Sequence, residues 1–301
     1  MKNRDFLITQ LKNCPRSQTK DGMTYLWYDQ PCNLYYESEQ ATAYLDMIEK
    51  ENFAKSLHDP AVQLVTEYSA EIISDTLENV EFYDLGPGLP TKTLPLLKAC
   101  LNRNCSLTYI PVDISVSFLA LAEREVKKCG ISSHGMNCLF EELPSLLSPK
   151  AANTTRIFQI GLTFNNYRPN TILGLLSQLS EDNDISLIIT EYYRTQKKQS
   201  LLLPYQDIYA ERFNFLSLKM LGLEKNDFRY HAEYRNQRIE MGFIPIKPLN
   251  IEGLQLSSNN KIVTAISYRY KKHHLTRHIM NYFHRFEMFK RGDLVIFKLK
   301  E

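Results

Sequence analysis

Val80-Glu81-Phe82-Tyr83-Asp84-Leu85-Gly86-Pro87-Gly88 decides the fold. A six-residue run built on Val80, Phe82, Tyr83 and Leu85, 80–85, leads into two glycines one residue apart, and a helix-length segment, 91–101, follows. A short buried strand that breaks into glycines before a helix predicts a parallel, doubly wound sheet. Glycine there lets the backbone pass close to a ligand laid over the carboxyl end of the strand. The pattern repeats outward. Residues 107–112 read as a strand, 116–128 as a helix, 136–140 as a weaker strand, 156–162 (RIFQIGL) as a strand, 171–179 as a helix and 185–190 as a strand. Such alternation predicts an α/β class with a parallel sheet.

The flanks differ. Residues 1–65 are rich in Tyr and acids, with helical periodicity only from Ala43 onward, and 197–223 again read as helix. Segments 229–246 and 261–270 carry Tyr, Ile and Val in polar alternation around a loop with Gly253, Ser257 and Asn259, which predicts antiparallel strands. A helix over 275–283, a turn at Arg291-Gly292-Asp293 and a closing strand over 294–299 (LVIFKL) complete the pattern. The expected organisation is an N-terminal segment 1–65, a doubly wound core 66–195, an α+β insertion 196–272 and a return to the core over 273–301.

With 44% apolar and 23% charged residues, the 301-residue chain is an ordinary globular sequence and neither collagen-like nor disordered. Its net charge of +2 sets up no strong overall field, but residues 261–301 hold ten Lys and Arg against three acids, a balance of +7 that leaves −5 on the first 260. Charge interrupts every apolar run well short of the roughly 20 residues a membrane span needs. With no secretory pattern at the N-terminus, a cytoplasmic location is expected. Cys14, Cys32, Cys100, Cys105, Cys129 and Cys138 show no C-x-x-C pair or metal-ligand spacing and read as reduced thiols, with no metal expected.

Three stretches carry chemistry. Gly86 and Gly88 open the ligand turn, but Leu89-Pro90 stands where a dinucleotide fingerprint places its third glycine. Asp113 ends the second strand, where a carboxylate can accept from both ribose hydroxyls of an adenosine. Together they fit a nicotinamide cofactor or S-adenosylmethionine, and the missing glycine favours the latter. Gly161-Leu162-Thr163-Phe164-Asn165-Asn166 leaves the next long strand. Asn166 there either binds a carboxylate and an amine or caps the helix that begins near Pro169.

The ordered set D-L-G-x-G with Lys92, Y-I-P-V-D-I-S, G-x-T-x-x-N, Pro204-Tyr205-Gln206-Asp207, Phe228-Arg229 through Arg238-Ile239-Glu240-Met241, and Thr264-Ala265-Ile266-Ser267-Tyr268-Arg269-Tyr270 resembles the histidine-specific methyltransferases of ergothioneine biosynthesis over roughly residues 80–270. The resemblance implies a class I methyltransferase fold, with an α+β substrate domain built from the N-terminal segment and the insertion. It also implies S-adenosylmethionine as donor and the α-amino group of a small-molecule amino acid as acceptor. Carried over residue by residue, it assigns the donor to Tyr28, Gly86, Gly88, Lys92 and Asp113, with Cys138 and Leu139 at the adenine. Gly161 and Thr163 come to the amine, Asn166 and Tyr205 to the acceptor carboxylate, and Met241, Ala265 and Ser267 to the side-chain pocket.

Two positions depart from the family. Ala265 stands where the family has an acidic residue that holds the imidazole, and Cys138 stands where it has the aspartate of an Asp-Phe pair that reads adenine. The family's tyrosine-proline motif near residue 65 has no clear counterpart. A pocket without the imidazole-holding carboxylate should favour something larger or less polar than histidine. Two other readings stay open: an RNA methyltransferase, on the basic tail, and a non-catalytic binding module, on Cys138 and Ala265. His274 and His278 lie four apart without the glutamate of a metalloprotease helix, and neither a G-x-S-x-G elbow nor a Walker loop occurs.

Overall fold

A computed structural model describes residues 4–30, 35, 38–181, 183–192 and 198–300, so Cys32 and the first residue of the helix expected over 197–223 lie outside the described residues. The chain divides into two compact units, one of Met1–Ala54 with Gln196–Tyr268 and one of Lys55–Thr195 with Arg269–Glu301. They are called here the five-strand unit and the seven-strand unit.

The first passage through the five-strand unit gives α1 (Arg4–Asn13), β1 (Arg16–Gln18), β2 (Thr24–Trp27), α2 (Ser38–Glu49) and the single turn α3 (Glu51–Phe53). The seven-strand unit then runs α4 (Asp59–Ile72), β3 (Asn79–Leu85), α5 (Leu94–Asn102), β4 (Ser106–Val112), α6 (Val116–Lys127), β5 (Ser132–Ser133), α7 (Leu143–Leu146), β6 (Thr154–Ile160), α8 (Pro169–Leu179) and β7 (Ile185–Glu191). The return to the five-strand unit supplies α9 (Lys198–Leu202), α10 (Ile208–Lys219), β8 (Phe228–Arg235), β9 (Arg238–Pro245), β10 (Leu249–Ile251), β11 (Leu254–Leu256) and β12 (Asn260–Tyr268). Last come α11 (Lys272–Met280), β13 (Arg285–Arg291) and β14 (Leu294–Lys300).

In the seven-strand unit the order is β13-β14-β7-β6-β3-β4-β5. β3 pairs in parallel with both β4 and β6, so the winding reverses beside it, and antiparallel β14 slots between β7 and β13. This is the class I methyltransferase arrangement of a doubly wound α/β sheet. β6 is buried along its whole length and β7 over all but its last residue, as strands covered by helices on both faces must be. α4 contributes Ala61, Leu64, Val65 and Ile72 to one core with Val80, Phe82, Ile189 and Ile296. The expected boundary at residue 65 therefore falls inside a core helix, and the division comes at Ala54. Helix starts follow local chemistry: Ser115 caps α6 by accepting from Phe118 N, and Pro169 opens α8.

The strand expected over 136–140 is replaced by a bend. Met136 makes one lone bridge to Val112, and the Glu142 carboxylate accepts from Leu139 N at 2.8 Å, turning the chain before β5 can lengthen. Similarly, Pro204 breaks the helix expected over 197–223 into α9, a tight turn Leu203–Tyr205, and α10, which Asp207 caps through Tyr209 N and Ala210 N.

In the five-strand unit the order is β1-β2-β12-β9-β8, with β2 and β12 parallel. One face packs on α10 through Phe215 and Phe243. The other holds a neutralised charge cluster. Lys261, 1% exposed, meets Glu233 at 2.8 Å, and fully buried Glu240 takes Arg235 and Arg238, whose guanidiniums lie over the rings of Tyr25 and Trp27.

Candidate active site

In the seven-strand unit the glycine turn leaves β3 and the Gly161 segment leaves β6. These strands are neighbours in register, with Leu85 opposite Ile160. Both glycines of the turn are left-handed, Gly86 at φ +70° and Gly88 at φ +53°, which is the backbone an L-residue resists. A Cβ on Gly86 would fall 2.9 Å from Thr163 Oγ1, and one on Gly161 would lie 3.5 Å from Lys92 Cε. The fold thus brings Gly86, Lys92, Gly161 and Thr163 together. Asn166 ends the single turn Leu162–Asn166, while Arg168 occupies the N-cap position of α8, so the capping alternative for Asn166 is not the one adopted.

Beneath the turn lies Asp84, 2% exposed. Its carboxylate accepts from Thr93 Oγ1 at 2.6 Å, Tyr109 OH at 2.9 Å and Gln159 Nε2 at 3.2 Å. Burial pushes its pKa up against those three hydrogen bonds and the field of Lys92. Burial likewise pulls the Lys92 ammonium down, opposed by Asp84. This ring of partners locks the last strand residues from which the glycine turn departs.

Asp113 follows β4 and is 8% exposed. One oxygen accepts from Ser115 N at 2.8 Å, and the Ile114 backbone N–H also donates to the carboxylate. Burial first, and Asp84 after it, raise its pKa to about 7. Asn137 holds the backbone in place by donating to the carbonyls of Asp113 and Ile114. A buried carboxylate at this strand end, with a glycine cradle on the adjacent strand, fits the ribose and the amino-acid end of the expected donor. Cys138 is buried, which raises its thiol pKa, and the neighbouring Leu139 is 45% exposed.

In the five-strand unit, Met241 and Ala265 are opposite each other on β9 and β12, and Ala232 is level with Met241 on β8. All three are buried. Ser267, two residues past Ala265, sits 3.4 Å from the hydroxyl of Tyr205, whose ring also meets Phe53 edge-on. Tyr230 fixes the Tyr205 backbone by donating to its carbonyl at 2.8 Å. This register depends on an irregularity between Val263 and Ala265, and Gly242 permits it: a Cβ there would fall 2.2 Å from the Ile262 carbonyl oxygen. Tyr28 belongs to this unit and is only 2% exposed, in the core that contains Leu26, Phe243 and Ile262.

Sequence reasoning missed Thr93, Tyr109, Gln159 and Asn137, which hold Asp84 and Asp113. It also missed Asn165, whose Oδ1 accepts from Thr190 at 2.6 Å while its buried Nδ2 has no partner among the described residues. A polar residue inside an apolar strand, as Gln159 is in RIFQIGL, was the available signal. Among the described residues no cluster of His, Cys, Asp or Glu suits a metal ion, and Cys14, Cys100, Cys105, Cys129 and Cys138 are free thiols. No helix among them is long and apolar enough to cross a membrane.

Similar solved structures include an S-adenosylmethionine-dependent methyltransferase from Clostridium acetobutylicum ATCC 824, 10% identical with a TM-score of 0.49, over 86% of this chain and 98% of that one. An O-methyltransferase family protein from Burkholderia thailandensis is 10% identical with a TM-score of 0.49, over 91% of this chain but 63% of that one, so the chain spans less than two thirds of it. The glycopeptide N-methyltransferase MtfA in complex with S-adenosylmethionine is 10% identical with a TM-score of 0.38, over 77% and 92%. No curated protein matches the sequence. The sequence profile of the histidine-specific, S-adenosylmethionine-dependent methyltransferases matches residues 22–287, from just before β2 into β13, and the chain belongs to that family.

Proposed function

We propose that the chain transfers the methyl group of S-adenosylmethionine to the α-amino group of a free amino acid whose side chain is larger or less polar than imidazole. The observation that carries this reading is Ala265, buried opposite Met241 and two residues from Ser267, at the position where the resembled enzymes hold the imidazole with an acid. The sulfonium supplies an already activated methyl group. The residues therefore have to bind and orient and need not attack. Gly86, Gly88, Lys92 and Asp113 are the proposed hold on the donor, with Cys138 and Leu139 in supporting contacts. Asn166 and Tyr205 are the proposed grips on the acceptor carboxylate, and Thr163, beside Gly86 and Gly161, takes or relays the ammonium proton through water.

Incubation with isotopically labelled donor and a panel of amino acids and amines, with products identified by mass, tests this reading. Label on the α-nitrogen of an aromatic or aliphatic amino acid is the expected result. Label on histidine alone would refute the altered pocket. A second reading has one observation in its favour: Lys271 at the N-cap of α11 and Lys272, His273 and Arg277 on that helix are exposed and form no ion pair among the described residues. Label on RNA, with affinity falling steeply as salt rises, would support that reading instead. Donor binding with no product at all would leave a binding module.

A further inference from the structure

His58 has no role in the site as built so far. Residues Ala54–His58 form a π-helical turn at the head of α4, a conformation that is rare and recurs near functional sites. The turn aims the imidazole so that both nitrogens are engaged: Nδ1 lies 3.1 Å from Asp59 Oδ1 and Nε2 lies 2.8 Å from Thr91 Oγ1. Burial, reinforced by the Lys92 ammonium and opposed by Asp59, holds the histidine pKa below its usual value, so the ring is neutral at pH 7. A neutral ring beside a carboxylate has one good tautomer. Nδ1–H donates to Asp59, and Nε2 accepts from the Thr91 hydroxyl.

Thr91 is the middle residue of the tight turn Pro90–Lys92, and the Lys92 side chain reaches from that turn to the surface of Gly161. We propose that His58 is a positioning residue of the methyl-donor site, fixing through Thr91 the turn that carries Lys92. Asp59 orients the ring, the ring orients the hydroxyl, and the hydroxyl pins the turn at the residue before the lysine. The inference rests on the assignment of Lys92 to the donor.

The test measures the dissociation constant of S-adenosylmethionine by calorimetry, without any acceptor. Melting temperatures are recorded alongside. His58→Leu and Thr91→Val remove the same hydrogen bond from opposite sides, and each should weaken donor binding on the order of five- to tenfold, the size of one net hydrogen bond. The double variant should lose no more than either single one. His58→Gln, whose side-chain oxygen can still accept from Thr91, should recover binding to within about twofold of the original. In turnover assays the acceptor KM should stay unchanged. Lower melting temperatures with unchanged donor affinity, additive losses in the double variant, or a Gln variant no better than Leu would each overturn the proposal. A wild-type protein that binds no donor would instead remove the Lys92 assignment beneath it.

Discussion

Replacing Ala265 by Glu puts a carboxylate into the apolar row formed by Ala232, Met241 and Ala265. Strand alternation turns Glu240, the charged neighbour of Met241 in β9, to the other face, where Arg235 and Arg238 already occupy it. The new carboxylate therefore has no cation waiting and stays unpaired until an acceptor brings an N–H group. A charge-assisted hydrogen bond is worth roughly 1.5–3 kcal/mol, so kcat/KM for histidine should rise by about one to two decades relative to tryptophan and tyrosine. Burial of the unpaired charge should lower the melting temperature in the absence of substrate. Ala265→Gln controls for size: its neutral amide should gain histidine by no more than about one decade. The assay is kcat/KM for the three amino acids in all three proteins, with melting curves. A stable Glu variant with no gain on histidine refutes the pocket assignment. If Glu and Gln unfold the protein alike, Ala265 does no more than pack within its sheet.

Asp113→Asn should weaken donor binding by roughly 1.5–3 kcal/mol. Because the Asp113 pKa is raised to about 7 and the ribose hydroxyls need an acceptor, the donor affinity of the unaltered protein should fall as pH drops below that value. The Asn variant should be flat over the same range in calorimetric titrations. Gly242→Ala, with its new Cβ placed 2.2 Å from a carbonyl oxygen, should destabilise the protein by roughly 1–3 kcal/mol or more, and a denaturant curve unchanged from the original would show that β9 and β12 can part at no cost. The ammoniums of Lys298 and Lys300 hold Asp75 well below the ordinary carboxylate range, so this pair stabilises the fold above the unfolded pKa near 3.8 and the contribution is lost as pH falls below it. Asp75→Asn should lower the melting temperature at neutral pH, where buried Lys298 loses a partner, and make the acid-induced loss of stability shallower.

The glycine turn, Asp113 and the alternation from 80 to 190 were legible because each is a local signal: a β-rich run, a glycine, a carboxylate at a strand end. In the five-strand sheet the antiparallel strands over 229–246 and 261–270 were legible as β8, β9 and β12, but β1 and β2 were not. β1 is exposed at every residue, and β2 finds its parallel partner only at Asn260, so no window of sequence contains the pairing. β13 was hidden because an edge strand with Arg285, Glu287, Lys290 and Arg291 reads as a solvated segment. In the candidate site, Met241 and Ala265 could be named from motifs, but the irregularity that sets them opposite each other depends on Gly242 meeting Ile262 across the sheet. The partners of Asp84 come from three separate elements, and only folding collects them.

The parallel pairing of β2 with β12 also bears on how the chain reaches its native state. Thr24 must wait for Asn260, a separation of 260 − 24 = 236 residues, before the inner edge of its strand is satisfied. Pairings of that range are slow because the loop-closure entropy is lost before any contact compensates for it. On the ribosome, β1 and β2 emerge before the doubly wound segment and can pair with each other, but the other edge of β2 has no partner until β12 is made. A nascent chain is thus expected to present β2, with Tyr25, Leu26 and Trp27, as an open edge for most of its synthesis. It should therefore depend on chaperones in proportion to translation time.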